Sequence, residues 1–327
     1  MYKNIQPILR QRRAELEMHL PSNSKKTAVL LLAHGSPDRA EEVAEFLRYV
    51  TGGRPMPPDA VQEIAHRYSL IGSSPLTHWT LQQGNGLARA LRMPVYVGMR
   101  NWKPFISDVV RTMVADGIEH AIVICMAPQN SRTSVGLYRR SLEGENGAPF
   151  TVDFVEAWHD HPLLIKAFAE KVRIGWNRAC VEAGTQLPII FTAHSVPQRT
   201  IIEGDPYEAQ SYETAQLVAK EAELDPESWS FAFQSQGMAG GPWIGPTVEQ
   251  TILDLKKKGH DGLFIQPIGF LCDHVEVLYD IDIAFKDFAE RQGMRLRRAE
   301  SLNDSPTLIT ALADLARSRT QQPLRKG

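Results

Sequence analysis

Short, nearly unbroken apolar runs recur along the chain at residues 27–33, 94–98, 120–126 and 150–156, and again at 187–193, 229–234, 262–268 and 294–298. A run that is apolar at every position marks a strand covered on both faces, as in parallel sheets. Between the runs the spacing becomes helical, over 38–49, 103–115, 161–181, 207–222, 246–258 and 274–292, with glycine and proline at the junctions. Strand and helix therefore alternate throughout. Parallel neighbours need crossover connections, so the pattern predicts an α/β protein with mainly parallel sheets and helices on both faces. Four runs fall in each half, which predicts two similar lobes with a ligand cleft at the carboxyl ends of their strands.

Two repeats support a duplication. "LLLAHGSPDR" at 30–39 and "IFTAHSVPQR" at 190–199 share the frame Ala-His-x-x-Pro-x-Arg after the first strand of each half. "DGIEHAIVICMAP" and "KGHDGLFIQPIGF" both pass from a helix-ending glycine through a buried strand to a proline. The expected division is a first lobe over 25–157 and a second over 158–327, preceded by a short amphipathic helical extension over 1–24. Residues 50–78 interrupt the first lobe. Pro55, Pro57, Pro58 and Pro75 in this stretch predict a functional loop or lid, with Ile64, Tyr68, Leu70 and Ile71 available to pack.

The duplicated frame directs His34 and His194 into the cleft. A histidine at a strand end titrates near neutral pH and suits proton transfer or metal ligation, although such a residue is more often structural. In "QPIGFLCDHVEVLYDID", an α-helix over 274–292 would stack Asp273, Glu276 and Asp280 on one face, with Asp287 returning to the same side. A solvated acidic face is the commoner origin of such a stripe. Here Val275, Val277, Leu278, Ile281 and Ile283 make the helix largely apolar and so buried. Stacked buried carboxylates repel unless a cation or protons intervene, which points to a divalent-metal route. Upstream, Asp205 caps a helix with Pro206 in its first turn. Gly237, Gly240, Gly241 and Gly245 surround Trp243 in a loop that lacks phosphate-binding glycine spacing and instead suits an aromatic wall of the cleft.

Composition narrows the partners. The 327 residues are 43% hydrophobic and carry a formal charge of -2 with both signs interspersed, which disfavours nucleic acid. No stretch reaches the eighteen or so apolar residues needed to span a bilayer. Cys125, Cys180 and Cys272 are widely separated, read as reduced thiols of a cytoplasmic protein, and fall short of the four ligands of an all-cysteine iron–sulfur cluster.

Together, "FTAHSVPQR…EGDPY", "FQSQGMAGGPWIGPT" and "GFLCDHVEVLYDID" resemble three consecutive signatures of the ferrochelatases, which insert ferrous iron into a porphyrin in haem synthesis. "AHGSP", "RYSLIGSSPLTHWT", "YVGMRNWKPF" and "APQNSRTSVGLY" extend the resemblance over roughly residues 27–310. It implies a chelatase-like, flavodoxin-like three-layer fold in two lobes and a lyase that releases two protons per metal inserted. It also implies His194 and Glu276 as a catalytic pair facing each other across the porphyrin centre, and Arg67, Tyr68, Ser74 and Tyr138 as porphyrin contacts. The metal path would include His34, His194, Glu276 and Asp280. Fe(II) and the porphyrin are substrates, with no tightly bound cofactor implied; oligomeric state stays open, a monomer being one alternative.

Three features depart from the coproporphyrin-using branch: His34 stands where tyrosine is typical, Gly52 and Gly53 where arginines often precede Arg54, and Ala284 where the acidic series often continues. "DHVEVLYDID" and the absence of a C-terminal extension resemble the coproporphyrin III type more than the membrane-associated protoporphyrin IX type. The alternatives are a cobalt chelatase acting on sirohydrochlorin or a precorrin, and a non-catalytic porphyrin or haem carrier. A carrier has little use for an acid beside His194.

Overall fold

All eight apolar runs form strands in the computed structural model, which describes residues 25–144, 146–236 and 241–320. The expected helix over 1–24 and Gly237 and Gly240 of the glycine-rich loop lie outside the described residues. In the first half β1 (Thr27–Ala33), β2 (Val95–Met99), β3 (His120–Cys125) and β4 (Thr151–Val155) form one parallel sheet, ordered β2-β1-β3-β4. In the second, β5 (Ile189–His194), β6 (Trp229–Gln234), β7 (Gly262–Pro267) and β8 (Arg295–Arg298) repeat that order as β6-β5-β7-β8. Identical strand order in two sheets is the structural form of the sequence repeat. It places β1 and β5 at equivalent central positions where the strand order reverses, which is where open α/β sheets bind ligands.

Period-two packing explains why the central strand is apolar throughout. From β1, Ala28, Leu30 and Leu32 enter one core cluster while Val29, Leu31 and Ala33 enter another. The second of these clusters also contains Phe191 and Phe264 of the other sheet, so both sheets share one apolar body. Helix Pro162–Ala183 joins the halves; Pro162 occupies its first turn, His161 Nδ1 accepts from the Leu163 amide, and Gly184 ends it with φ of 70°. Helix Pro306–Thr320 packs on both Leu76–Leu91 and Pro162–Ala183, and its Leu308 and Leu312 lie in the shared cluster.

Two expectations change. The stretch read as a loop is mainly helix Pro58–Ile71, followed by helix Leu76–Leu91. Its prolines begin helices: Pro57 and Pro75 precede the first turns and Pro58 opens one, positions where a missing amide hydrogen costs nothing. Tyr68 is buried on this helix, whereas Leu70 is 49% exposed and does not join the packing. The expected α-helix over 274–292 is divided into Val275–Leu278, a π-helix Asp280–Phe285 and Lys286–Arg291. Among the described residues, no helix is long and apolar enough to cross a membrane.

Candidate active site

His194 is the last residue of β5, and its main chain is held on several sides. Tyr207 Oη donates to the His194 carbonyl (2.9 Å), the Ser195 amide donates to Gln234 O (2.7 Å), and Ser195 Oγ donates to Ile244 O (2.8 Å). Its Nδ1–H donates to the Ser195 carbonyl in a short contact, which directs Nε2 outward to Glu276 Oε1 at 3.3 Å. Burial alone would lower the imidazole's pKa. The Glu276 carboxylate outweighs it, aided by the Ser195 carbonyl and Asp280, and raises it to about 9. Burial pushes Glu276 the other way, but His194 and then His274 hold its carboxyl well below the usual range. The pair therefore rests as imidazolium and carboxylate, with both side chains about one-third exposed.

The Glu276 backbone is fixed by Gln234, whose amide donates to the Glu276 carbonyl at 2.7 Å. His274 Nε2 lies 3.4 Å from the second Glu276 oxygen. Next along the chain, Asp280 accepts from the Ser235 hydroxyl. Burial raises the Asp280 pKa to about 6, with the nearby Glu276 charge adding to the effect and Ser235 opposing it.

This geometry corrects two sequence expectations. His194 and Glu276 come from the same half of the chain and touch each other, so no macrocycle lies between them; they form a single wall. The acidic series is also shorter than expected. Asp273 precedes the helix and accepts from Ser301 Oγ (2.7 Å) and Asn303 Nδ2 (3.0 Å), with Arg298 3.4 Å away. Asp287 is exposed and pairs with Arg291 at 2.9 Å. Two causes act: the helix begins only at Val275, after an extended His274, which leaves Asp273 outside it, and the wider turn of the π-helix breaks the 3.6-residue register before Asp287.

From the first half, His34 follows β1. Its Nδ1–H donates to Gly35 O (2.9 Å), which leaves Nε2 to accept from Asn101 Nδ2 (3.0 Å). Burial lowers its pKa, partly offset by the Gly35 carbonyl and Glu276, so this imidazole is neutral. Gly35 requires its own φ of 83°, and a Cβ there would come within 2.8 Å of the Trp102 nitrogen. Tyr68 shares a 2.8 Å hydrogen bond with Ser36, and burial raises its hydroxyl pKa. Ser74 is buried, and its Oγ has no hydrogen-bond partner among the described residues. Tyr138 is buried on helix Val135–Glu143, with its pKa raised by burial first and by Cys125 and Glu276 besides. Arg67 lies 3.1 Å from Glu63 and sits over the Tyr279 ring, 5.1 Å from its centroid, spanning from first half to second.

Asn101, Arg100, Gln234, Ser235 and His274 were not singled out from sequence. A signal was available for several of them. Gln234 is in register with His194 at the carboxyl end of the adjacent strand, and Arg100 and Asn101 follow β2 beside His34. Trp243 stands 6.4 Å from His194, ring centroid to ring centroid, where an aromatic cleft wall was expected. Cys125 and Cys272 are buried free thiols whose pKa burial raises, and Cys180 is a third free thiol. Among the described residues, no three His, Cys, Asp or Glu side chains are arranged to hold a metal ion.

The family model described as Ferrochelatase matches residues 26–320. The chain belongs to the ferrochelatase family. A ferrochelatase of Acidobacterium capsulatum is 55% identical over 309 residues, covering 90% of this chain and 94% of that protein. A ferrochelatase of Deinococcus radiodurans is 38% identical, covering 90% and 96%. A coproporphyrin III ferrochelatase of Geobacillus sp. is 34% identical, covering 90% and 98%. Among solved structures, SirB from Bacillus subtilis with Fe3+ superposes with a TM-score of 0.51 at 13% identity, covering 91% of this chain and 98% of that one, a likeness of fold alone. Family membership supplies the reaction: the protein is a lyase that inserts iron into a porphyrin for haem synthesis.

Proposed function

We propose that this ferrochelatase takes coproporphyrin III and metallates it against the wall formed by His194 and Glu276. The observation that carries this assignment is the 3.3 Å His194–Glu276 contact at the carboxyl edge of the second sheet, with Asp280 electrostatically coupled to both. Metallation must remove two pyrrole protons for each Fe(II) inserted. Glu276 is ionised and can accept one at once. His194 carries a proton at rest; when an arriving dication displaces it, that proton and the second pyrrole proton leave in turn through Glu276 and Asp280 to solvent, and the imidazole nitrogen becomes a ligand. Asp280, with its pKa near neutrality, is suited to pass a proton onward. Imidazole and carboxylate bind Fe(II) without the retention that thiolates would impose.

His34 supplies the opposite face of the site in this reading. Its Nε2 becomes an axial ligand only by exchanging the Asn101 hydrogen bond for iron. Arg67 is the propionate partner and must trade Glu63 for the substrate carboxylate. Tyr68 and Tyr138 contribute buried ring surface, and Ser74 contributes a hydroxyl with no hydrogen-bond partner among the described residues. Arg100, which lies near both Tyr138 and His34, adds positive charge suited to a tetra-anionic macrocycle. The Geobacillus relative, a coproporphyrin III ferrochelatase by name, supports the same choice. The two lobes are assigned to 25–157 and 158–327, with the protein working in the cytoplasm.

The test is anaerobic Fe(II) insertion into coproporphyrin III and protoporphyrin IX side by side, with Co(II) and sirohydrochlorin as a third arm. Faster turnover with coproporphyrin III is expected. Preference for protoporphyrin IX would overturn the substrate assignment, and preference for sirohydrochlorin would favour the cobalt-chelatase reading. His194→Ala and Glu276→Gln should each reduce turnover about a thousandfold while porphyrin binding stays measurable by fluorescence quenching. Full activity in either variant removes that residue from the mechanism.

A further inference from the structure

Asp205 lies outside the chemistry described above, yet its side chain is only 1% exposed and every contact it makes bears on the site. Oδ2 accepts from the Arg132 amide at 2.7 Å and from Ser131 Oγ at 3.2 Å, with Arg132 Nε 3.6 Å away. Those donors belong to the first-half loop that leads into helix Val135–Glu143, the helix carrying Tyr138. Oδ1 accepts from the Tyr207 amide at 3.1 Å. Tyr207 is itself buried, and its hydroxyl donates to the His194 carbonyl.

One buried carboxylate thus connects the base of the Tyr138 helix with the tyrosine that grips His194. A buried anion that satisfies main-chain and hydroxyl donors from two separate segments fixes their spacing, because losing it would strand several donors at once. The surrounding joint does not depend on it alone. The Asn130 amide donates to Gln210 Oε1 (2.7 Å), and Gln129 Nε2 donates to Thr214 Oγ1 (3.1 Å) across the same junction. The halves can therefore stay docked when Asp205 is altered, which separates placement of His194 from assembly of the fold.

We propose that Asp205 is a positioning residue for metal insertion, acting through Tyr207 to hold His194 at the correct distance from the Tyr138 wall of the cleft. The inference rests on His194 taking part in the chemistry. Its position in the chain, eleven residues after His194 and beside a proline, gives it the appearance of a plain helix cap. In the structure Pro206 occupies the cap position of helix Tyr207–Glu221, and the Tyr207 amide is only one of the groups that Asp205 binds.

The experiment measures steady-state Fe(II) insertion by the full chain as Tyr207→Phe, Asp205→Asn and the double variant, with a thermal melt of each. Tyr207→Phe keeps the ring and removes only the hydroxyl. The expected result is a roughly tenfold fall in kcat for each single variant, a KM for porphyrin within about twofold of the parent, and a double variant no worse than either single. An unchanged kcat in Tyr207→Phe overturns the proposal, as does a rise in KM that accounts for the loss, or additive losses in the double variant. If Asp205→Asn does not fold, the split between kcat and KM in Tyr207→Phe decides alone. His194→Ala run beside these variants keeps the two readings apart: full activity there defeats the role of His194, whereas an inactive His194→Ala beside a fully active Tyr207→Phe defeats only the positioning role.

Discussion

At the scale of single residues, the His194–Glu276 pair links chemistry to stability. His194 has its pKa raised from 6.5 to about 9 in the folded protein, so its attraction to Glu276 stabilises the fold fully below pH 6.5 and is lost as pH rises through 9. Glu276 is shifted the opposite way, so its contribution is present above pH 4.5 and lost as pH falls below that value. Thermal melts of the parent from about pH 7 to about pH 10 should show a fall that is flatter in Glu276→Gln; parallel curves would mean the pair is not ionised. His34 is testable separately. In His34→Ala the absorption spectrum of the bound product haem should change while kcat drops less than in His194→Ala, and an identical spectrum would exclude axial ligation. His34 and His194 were marked in the sequence by strand ends and a duplicated frame, and Glu276 by carboxylate spacing on an otherwise apolar stretch. The direct contact between His194 and Glu276 was not, since it depends on how the loop after β7 and the Gln234 side chain place the start of helix Val275–Leu278 against the end of β5.

At the scale of elements, strand positions were highly legible and helices less so. The runs at 27–33 and 229–234 coincide with β1 and β6; β1 is buried from its second residue onward, which leaves little polar interruption to blur its limits. Helix Pro58–Ile71 was hidden by its prolines, which signal a turn and a helix start with the same residue. The broken helix at Glu276 was hidden because carboxylates at i, i+3 and i+7 fit an α-helix until the register is actually broken. The loop between β1 and the site offers a local test. Gly35→Ala combines a left-handed φ with a Cβ 2.8 Å from the Trp102 nitrogen, so it should destabilise the protein by roughly 1–3 kcal/mol in urea unfolding. A cost near zero would show that the loop can shift. Thr247, whose hydroxyl and Gln250 form a reciprocal cap on helix Val248–Lys257, should cost about 1 kcal/mol on substitution by Ala in the same assay.

At the scale of the whole molecule, the duplicated halves are not independent. Helix Pro306–Thr320 packs across both, Gln83 Nε2 donates to Asn303 O at 2.7 Å, and Arg319 reaches Asp153 at 3.2 Å. Unfolding followed by fluorescence and by far-ultraviolet circular dichroism should therefore show one coincident transition, and Leu312→Ala should lower its midpoint by about 2–5 kcal/mol of stability without splitting it. Two separated transitions would show that the shared core does not couple the sheets. The two-lobed architecture was legible from alternation and repetition, whereas this crossing was not, because a C-terminal amphipathic helix carries no mark of which partner it will cover.

Val275 sends its side chain across to the first half of the molecule. It precedes Glu276 by one residue, yet it packs into the first-half cluster of Val43, Phe46, Leu47, Tyr68 and Trp102. The carboxylate is thus mounted on a pivot whose socket belongs to the other half. Substitutions in that socket will be felt at the reacting centre without touching it.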